Sequence, residues 1–167
     1  MRTAIAPHPN AVILAYDILT ATVVGTMVGN EFAVAAFVHP ELRKLSDSAH
    51  AQTASLLAGV LGKAMPLWYG ASLVLILGAT LEHRPLSSSP GLFLLLAVVL
   101  WAATIVFTIA MLVPINNRIA RMNPEHPYDC WLEDRRRWDQ LHQVRVILLT
   151  MAFLLLLTGL FGSAATR

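Results

Sequence analysis

Two polar stretches at the ends of apolar runs carry the side chains best suited to chemistry. Residues 113–118 read Val-Pro-Ile-Asn-Asn-Arg and close a long apolar run. Residues 137–145 read Arg-Trp-Asp-Gln-Leu-His-Gln-Val-Arg and lead into the next one. An imidazole can exchange a proton near neutral pH, while amide and guanidinium groups can stabilise a developing negative charge. These residues are either the walls of a polar site or anchors at the ends of two apolar elements.

Composition shows what the apolar runs are. The chain has 167 residues, of which 56% are hydrophobic and 13% charged, against roughly 25% charged in a soluble domain. Runs of about 20 apolar residues are long enough to cross a bilayer as helices. The single Cys130 excludes an internal disulfide and a cysteine-based metal site, and a net charge of +2 gives no support for a nucleic-acid partner.

Four apolar spans can be placed, at about 11–38, 52–81, 91–113 and 133–161. They predict an all-α integral membrane protein, a four-helix up-down-up-down bundle formed by one transmembrane domain over residues 1–167. Pro66 is expected to kink the second span. The polar segment 40–51 is predicted to be a loop. The longer segment 116–134 is predicted to fold over one end of the bundle as a lid.

The basic residues are unevenly divided between the two ends of this bundle. The end that holds both long loops has eight basic residues: Arg43, Lys44, Arg118, Arg121, Arg135, Arg136, Arg137 and Arg145. The other end has three: Arg2, Arg84 and Arg167. An excess of Lys and Arg in short loops marks the cytoplasmic side. The sequence therefore predicts a multi-pass protein of the cell membrane with cytoplasmic long loops and both termini outside.

Two ionisable residues interrupt the apolar spans near the same end. Glu31 lies in the first span and Lys63 in the second, and charged groups inside a membrane are costly enough to mark a site by default. Glu31 is expected to pair with Lys63 or Arg145, because an isolated buried charge is too costly. Asp17 lies near the opposite end and is expected to make a separate polar contact.

The candidate site combines these residues with the two opening stretches. Trp138, His142 and Arg145 have i, i+4, i+7 spacing, which places them on one side of a helix. His142 and Glu31 are the candidate catalytic residues. The candidate substrate-binding residues are Asn116, Asn117, Lys63, Arg145 and Trp138.

Simpler interpretations of each residue remain open. Glu31 and Lys63 can be an ion pair that only fixes helix register, and Asn116 and Asn117 can cap the third span. The arginines can be interfacial anchors and the tryptophans an aromatic belt. What favours a cavity is that so many polar groups converge at one depth. The remaining histidines are expected on the solvated surface of loops: His39, His50, His83 and His126.

Cofactor binding is left open by the ligand types. Glu31, His142, His39 and His126 have side chains that could hold a divalent metal ion. None of their spacings is the close i, i+3 or i, i+4 pair typical of helical metal sites, and the sequence requires no cofactor.

Several stretches resemble one known family. They are residues 29–32 (Gly-Asn-Glu-Phe), 39–42 (His-Pro-Glu-Leu), 65–66 (Met-Pro), 113–118 and 137–145. Together they are similar to the anthrone-oxygenase-like family of small four-helix membrane proteins, and the resemblance extends over essentially the whole chain. Segments 113–118 and 137–145 are its most specific parts.

The resemblance implies an oxygenase that acts with dioxygen on a lipophilic phenolic or quinone-like substrate. Such chemistry begins by removing a proton from an activated carbon, for which His142 or Glu31 could be the base. The expected partners are membrane lipid and a lipophilic small molecule, while the oligomeric state is left open. The alternative is a non-catalytic membrane protein, a ligand binder or assembly subunit, whose polar cluster is structural.

Overall fold

The computed structural model describes residues 9–165, with side chains from residue 11 to residue 163, and is helical almost throughout. Arg2 and Arg167 lie outside the described residues. The helices are α1 (Pro9–Ala33), α2 (His39–Leu42), α3 (Asp47–Glu82), α4 (Ser89–Phe107), α5 (Val113–Arg121) and α6 (Trp131–Ala165). Two π-helical turns, Val34–Val38 and Thr108–Leu112, join α1 to α2 and α4 to α5. No strand occurs between residues 9 and 165.

Four continuous helical stretches are long and apolar enough to cross a membrane. They are Ala11–Leu42, Asp47–Glu82, Ser89–Arg121 and Trp131–Ser163. Large apolar side chains point away from the protein along them, including Leu67, which is 78% exposed, and Phe161, which is 71% exposed. Exposed apolar surfaces along helices of this length are typical of membrane-spanning segments. The predicted all-α, multi-pass membrane class is confirmed, while the up-down order of the spans stays a prediction.

The spans are longer, and the loops shorter, than the sequence analysis predicted. The third span does not end at Val113 but continues through α5 to Arg121, so Asn116 and Asn117 lie inside a helix and do not cap it. The predicted loop 40–51 contains α2 and the start of α3, and only residues 43–46 between them are non-helical. The predicted lid 116–134 shrinks to the connection 122–130. The error came from treating prolines as helix ends.

Two prolines instead mark the π-helical turns. Pro40 and Pro114 each lie two residues beyond such a turn. A proline has no N–H to donate to the carbonyl four residues earlier, and its ring crowds that carbonyl. Those carbonyls belong to Ala36 and Ala110, inside the two widened turns. A turn with one extra residue is thus the local response to each proline, and the helix continues beyond it.

The extra residue rotates the face that each helix buries. In a regular helix, residues seven apart share a face because two turns take 7.2 residues. Across the π-helical turns the buried residues are eight apart: Glu31 and His39 in the first span, and Thr104 and Leu112 in the third. The first turn therefore brings His39 to the same face as Glu31.

Two apolar clusters form the interior. The first, in the body of the bundle, is built around residues such as Val24, Trp101 and Leu149. The second lies at the loop end and includes Ile115, Trp131 and Trp138. Arg145 lies beside both clusters, with its guanidinium carbon 5.8 Å from the ring centroids of Tyr69 in the first and Trp138 in the second.

Polar contacts fasten both ends of the bundle. At one end Nε2 of His83 lies 2.9 Å and 3.0 Å from the two carboxylate oxygens of Asp17, which provides the separate contact expected for Asp17. His83 is buried, so the prediction that it is a solvated loop residue was wrong.

At the other end Arg118 donates two 2.7 Å hydrogen bonds to Asp134, which also accepts one of 2.8 Å from Tyr128. Burial, followed by the hydrogen bond to Asp134, raises the pKa of Tyr128 to about 12. The hydroxyl is protonated at neutral pH and acts as the donor in the hydrogen bond to Asp134. These bonds tie the 122–130 connection to both helices that it joins.

Candidate functional site

A buried ion pair between the first and last spans forms the centre of the site. Nη2 of Arg145 donates a 2.7 Å hydrogen bond to Oε2 of Glu31. The two side chains are only 8% and 3% exposed. The expectation that Glu31 pairs with Lys63 or Arg145 is confirmed, with Arg145 as the partner.

His142 joins this pair through one ring nitrogen. Nη2 of Arg145 lies 2.7 Å from Nδ1 of His142, and Nδ1 lies 3.3 Å from Oε2 of Glu31. A guanidinium can only donate, so Nδ1 must accept, and the neutral ring carries its proton on Nε2. Nε2 is buried and has no hydrogen-bond partner among the described residues. In this state Nε2–H of His142 is a hydrogen-bond donor, and the Glu31 carboxylate is the neighbouring group that can accept a proton.

Aromatic rings hold His142 in place. Trp138 stacks on it with ring centroids 4.9 Å apart and an interplanar angle of 14°. His39 lies 5.0 Å from His142 and 5.1 Å from Trp138, measured between ring centroids. The prediction that His39 is a solvated loop residue was therefore wrong, because the π-helical turn before it directs the ring inward. His50 is also buried, 5.2 Å from the Trp131 ring, whereas His126 is exposed as expected.

A second charged group lies behind these rings. Nη2 of Arg135 is 2.9 Å from Oδ1 of Asp139, and Nδ1 of His39 is 3.3 Å from the same oxygen. All three residues are buried. The distances are those of ion pairs, although Oδ1 makes no hydrogen bond of regular geometry. Sequence reasoning missed this group, yet Arg135 and Asp139 have the i, i+4 spacing of a helical ion pair.

A cavity of about 470 Å³ adjoins the Glu31–Arg145 pair. Residues of all four spans line it. The lining is apolar along most of its length, with residues such as Leu61, Met65, Leu73, Ile105 and Leu112, and polar at one end, with Glu31, Asn116, Asn117, His142 and Arg145. An apolar chamber with a few convergent polar groups is the usual form of a small-molecule site.

One side of the cavity reaches the outer surface of the bundle. On α3 its rim consists of Gly62, Pro66 and Gly70, one helical turn apart and all exposed. On the facing third span the rim is formed by Ile109 and Val113, which are 61% and 37% exposed. The gap lies in the apolar part of both spans, where the surroundings of a membrane protein are lipid.

The other predicted substrate-binding residues divide into two groups. Asn116, Asn117 and Trp138 line the cavity together with Arg145, and Nδ2 of Asn116 donates to the carbonyl of Ala58 over 3.1 Å. Lys63 is exposed and does not line the cavity. It is the neighbour of the lining residue Gly62, but one residue turns a helix by about 100° and directs Lys63 elsewhere.

Tyr69 is a lining residue that sequence reasoning did not identify. It is 5% exposed, and Arg145 lies over its ring, with the guanidinium carbon 5.8 Å from the centroid. Its hydroxyl lies close to Glu31 but has no hydrogen bond of regular geometry among the described residues. The sequence feature that could have identified Tyr69 is its spacing: it lies seven residues after Gly62 and three after Pro66, on the same face of α3 as the cavity rim.

The side chains that could bind a metal ion do not meet at one point in the part of the chain that the structure describes. Among the described residues, no group of three or more His, Cys, Asp or Glu side chains is arranged to hold one. His126 is exposed in the 122–130 connection, and it is not one of the residues around Glu31 and His142.

The fold and the site define a small four-span membrane protein with an intramembrane cavity that is polar at one end. The anthrone oxygenase family model matches residues 53–155, more than half of the chain, and the protein belongs to that family. The match includes the whole third span and most of the second and fourth spans. No curated protein and no solved structure matches the chain.

The buried ion pair generates a first prediction. In Arg145→Met the Glu31 carboxylate remains buried without its cation, and we expect a loss of about 3–5 kcal/mol in the free energy of unfolding. Adding Glu31→Gln removes the stranded charge and should recover part of that loss. Denaturant unfolding in detergent measures both variants. The control is Arg118→Met, whose partly exposed pair with Asp134 should cost only about 0–1 kcal/mol; equal costs at the two arginines would contradict this account of Glu31.

Proposed function

We propose that the protein is a membrane oxygenase that oxidises a lipophilic anthrone-type phenolic substrate with dioxygen. The observation that carries the proposal is the cavity: an apolar chamber between four spans that ends at a carboxylate, an imidazole, two amides and a tyrosine. Its volume of about 470 Å³ lies in the range of roughly 300–1,000 Å³ typical of small-molecule sites. Family membership supports the reaction type, since the matched family is described as anthrone oxygenase.

Glu31 takes the proton from the substrate. The activated carbon of an anthrone is a CH2 group between two aromatic rings, opposite a ring carbonyl. Oε2 of Glu31 is held by Arg145, and the second oxygen, Oε1, accepts no hydrogen bond of regular geometry from the described residues. Transfer of the proton to this oxygen leaves the electron pair on the substrate, delocalised onto its carbonyl oxygen.

Donors near the carboxylate stabilise the resulting oxyanion. Three donors belong to residues that line the cavity: the Tyr69 hydroxyl, Nε2–H of His142 and the Asn117 amide. The first two are buried and have no hydrogen-bond partner of regular geometry among the described residues. Donors fixed by packing cost little reorganisation when charge develops, which is why they favour the transition state. The apolar walls leave the aromatic body of the substrate in hydrocarbon-like surroundings.

The electron-rich substrate then reduces dioxygen. One oxygen atom joins the deprotonated carbon, and the O–O bond breaks as the second hydrogen leaves that carbon. For anthrone itself the balance is C14H10O + O2 → C14H8O2 + H2O. Both hydrogens of the CH2 group end in water, and the carbon becomes the second carbonyl of a quinone. Dioxygen is the oxidant, and no other reductant or oxidant is needed.

The activity is tested with purified protein in lipid vesicles that contain anthrone. Oxygen consumption and quinone absorbance should exceed the autoxidation in protein-free vesicles. We expect Glu31→Gln to lower the rate by about 10²–10⁴-fold, as for loss of a general base, and Tyr69→Phe by roughly 10²–10³-fold, as for loss of an oxyanion donor. Tyr16→Phe, at the opposite end of the bundle, is the matched control and should leave the rate unchanged.

A protein that binds anthrone without accelerating its oxidation would overturn the oxygenase proposal. That result would favour the alternative, a non-catalytic membrane protein that binds a ligand or assembles with a partner.

The cavity and its opening to lipid are tested by filling the rim. A Cβ on Gly70 would meet no atom within 4 Å, so a side chain there enters open space. Gly70→Leu should reduce substrate binding and turnover by at least about tenfold, equivalent to ~1.4 kcal/mol. It should leave the fold intact, because leucine favours a helix over glycine by up to ~1 kcal/mol. Gly59→Leu is the control on the same helix, since its Cβ also meets nothing and it does not line the cavity; equal effects at the two positions would contradict a binding role for this cavity.

We further propose that the site opens on the cytoplasmic half of the cell membrane, with both termini outside. The basic residues Arg43, Lys44, Arg121, Arg136 and Arg137 are exposed near the two connections at the site end, which supports this orientation. A reporter fused after residue 167 should therefore be silent if it needs the cytoplasm and active if it needs the outside. A fusion within 122–130 should give the opposite pattern, and a cytoplasmic signal from the terminal fusion would reverse the assignment.

A further inference from the structure

The buried residues of the site form two groups of the same construction. In the first, Arg145 and His142 both approach one oxygen of Glu31, at 2.7 Å and 3.3 Å. In the second, Arg135 and His39 approach one oxygen of Asp139, at 2.9 Å and 3.3 Å. Each group is an arginine, a carboxylate and an imidazole that faces the carboxylate through Nδ1. The first group lines the cavity, whereas no member of the second does.

The two imidazoles are the point of contact between the groups. The ring centroids of His39 and His142 are 5.0 Å apart, and Trp138 packs against both rings. Two imidazoles with ring centroids this far apart are within the range of proton transfer, either directly or through one bridging water. His142 supplies the nitrogen for such a step, because its Nε2–H has no other partner among the described residues.

The second group leads towards the end of the bundle. His39 stands where the first π-helical turn ends, and its carbonyl accepts a 3.3 Å hydrogen bond from the backbone N–H of Arg43, which is exposed. Asp139 lies 3.3 Å from Nδ1 of His39, and the electrostatic surroundings of His39 also include Arg135, Arg43, Arg145 and His50. The first group, by contrast, borders the cavity.

We propose that His39, with Asp139 and Arg135, forms a proton relay that connects the cavity group to water at the loop end of the bundle. The relay moves protons only. A proton on Glu31 passes to His142 and from there to His39, which exchanges it with water beside Asp139, and the route also runs in reverse. Asp139 and Arg135 are positioning residues that orient the His39 ring. The purpose of the relay rests on the proposed function, since a base that has taken a substrate proton in an apolar chamber must be reset between turnovers.

The relay makes a prediction that requires no substrate. In protein labelled with 15N-histidine in detergent micelles, saturation of the water signal should be transferred to the Nε2–H of His142. The His142 signal is assigned by its disappearance in His142→Gln. We expect His39→Gln to slow this exchange by about tenfold or more, because the side chain that replaces imidazole cannot carry a proton. His126→Gln, an exposed histidine in the 122–130 connection, is the matched control and should leave the exchange unchanged.

A second variant separates the relay from simple packing. Asp139→Asn keeps the size and the hydrogen-bonding capacity of the side chain but removes its charge, and it should also slow the exchange. An unchanged exchange rate in either folded variant would overturn the relay. A change in the His142 chemical shift without a change in exchange rate would show only that His39 packs against His142. Absence of oxygenase activity leaves this measurement valid, so the two proposals fail separately.

Discussion

The contact between Arg145 and Glu31 is the constraint on which the rest of the structure depends. Neither charge could stay in an apolar bundle alone, because the cost of desolvating one ion is several kcal/mol. The two residues are in the first and last spans, so that their attraction fixes how these spans face each other. The same guanidinium nitrogen, Nη2 of Arg145, also sets the tautomer of His142, because it donates to Nδ1. Helix packing, charge balance and the chemistry of the imidazole are therefore consequences of one contact.

The buried charges of the interior are paired with charges of opposite sign, which lowers the free-energy cost of placing them beside an apolar cavity. Glu31 with Arg145 and Asp139 with Arg135 are each neutral overall. The buried hydrogen-bonding groups without a partner include one polar atom each of Tyr69, Trp138 and His142, whose rings pack against apolar neighbours. The structure thus holds unused donors near a carboxylate without an unpaired charge. A purely structural network would be expected to satisfy them.

The fold was predictable because a bilayer imposes a simple rule on sequence. Apolar length alone predicted the four spans, and the cost of burying a charge predicted that Glu31 pairs with Lys63 or Arg145, between which the structure selects Arg145. The rotation of each helix was not predictable from the same rules. Pro40 and Pro114 look like helix ends, yet each produces a π-helical turn that moves the buried face by one residue. That shift is why the sequence predicts a surface position for His39 and allows Asn116 to cap the third span.

The depth of a residue in the membrane does not determine which face of the helix it lies on. Lys63 lies at the depth of the site, but its side chain is exposed and does not line the cavity. Tyr69 was missed because it stands alone in an apolar run, where no spacing to another polar residue marks it as part of a site.

The gap between Gly62, Pro66 and Gly70 on one span and Ile109 on another has a consequence for how affinity should be understood. A ligand that enters there comes from the lipid phase, so the concentration that governs occupancy is its mole fraction in the membrane. Partitioning of a flat aromatic molecule into hydrocarbon contributes about 25 cal/mol for each Å² of apolar surface removed from water. That free energy is gained before the ligand meets the protein. The cavity then needs only to distinguish the ligand from acyl chains, and its polar end is the part that can do so.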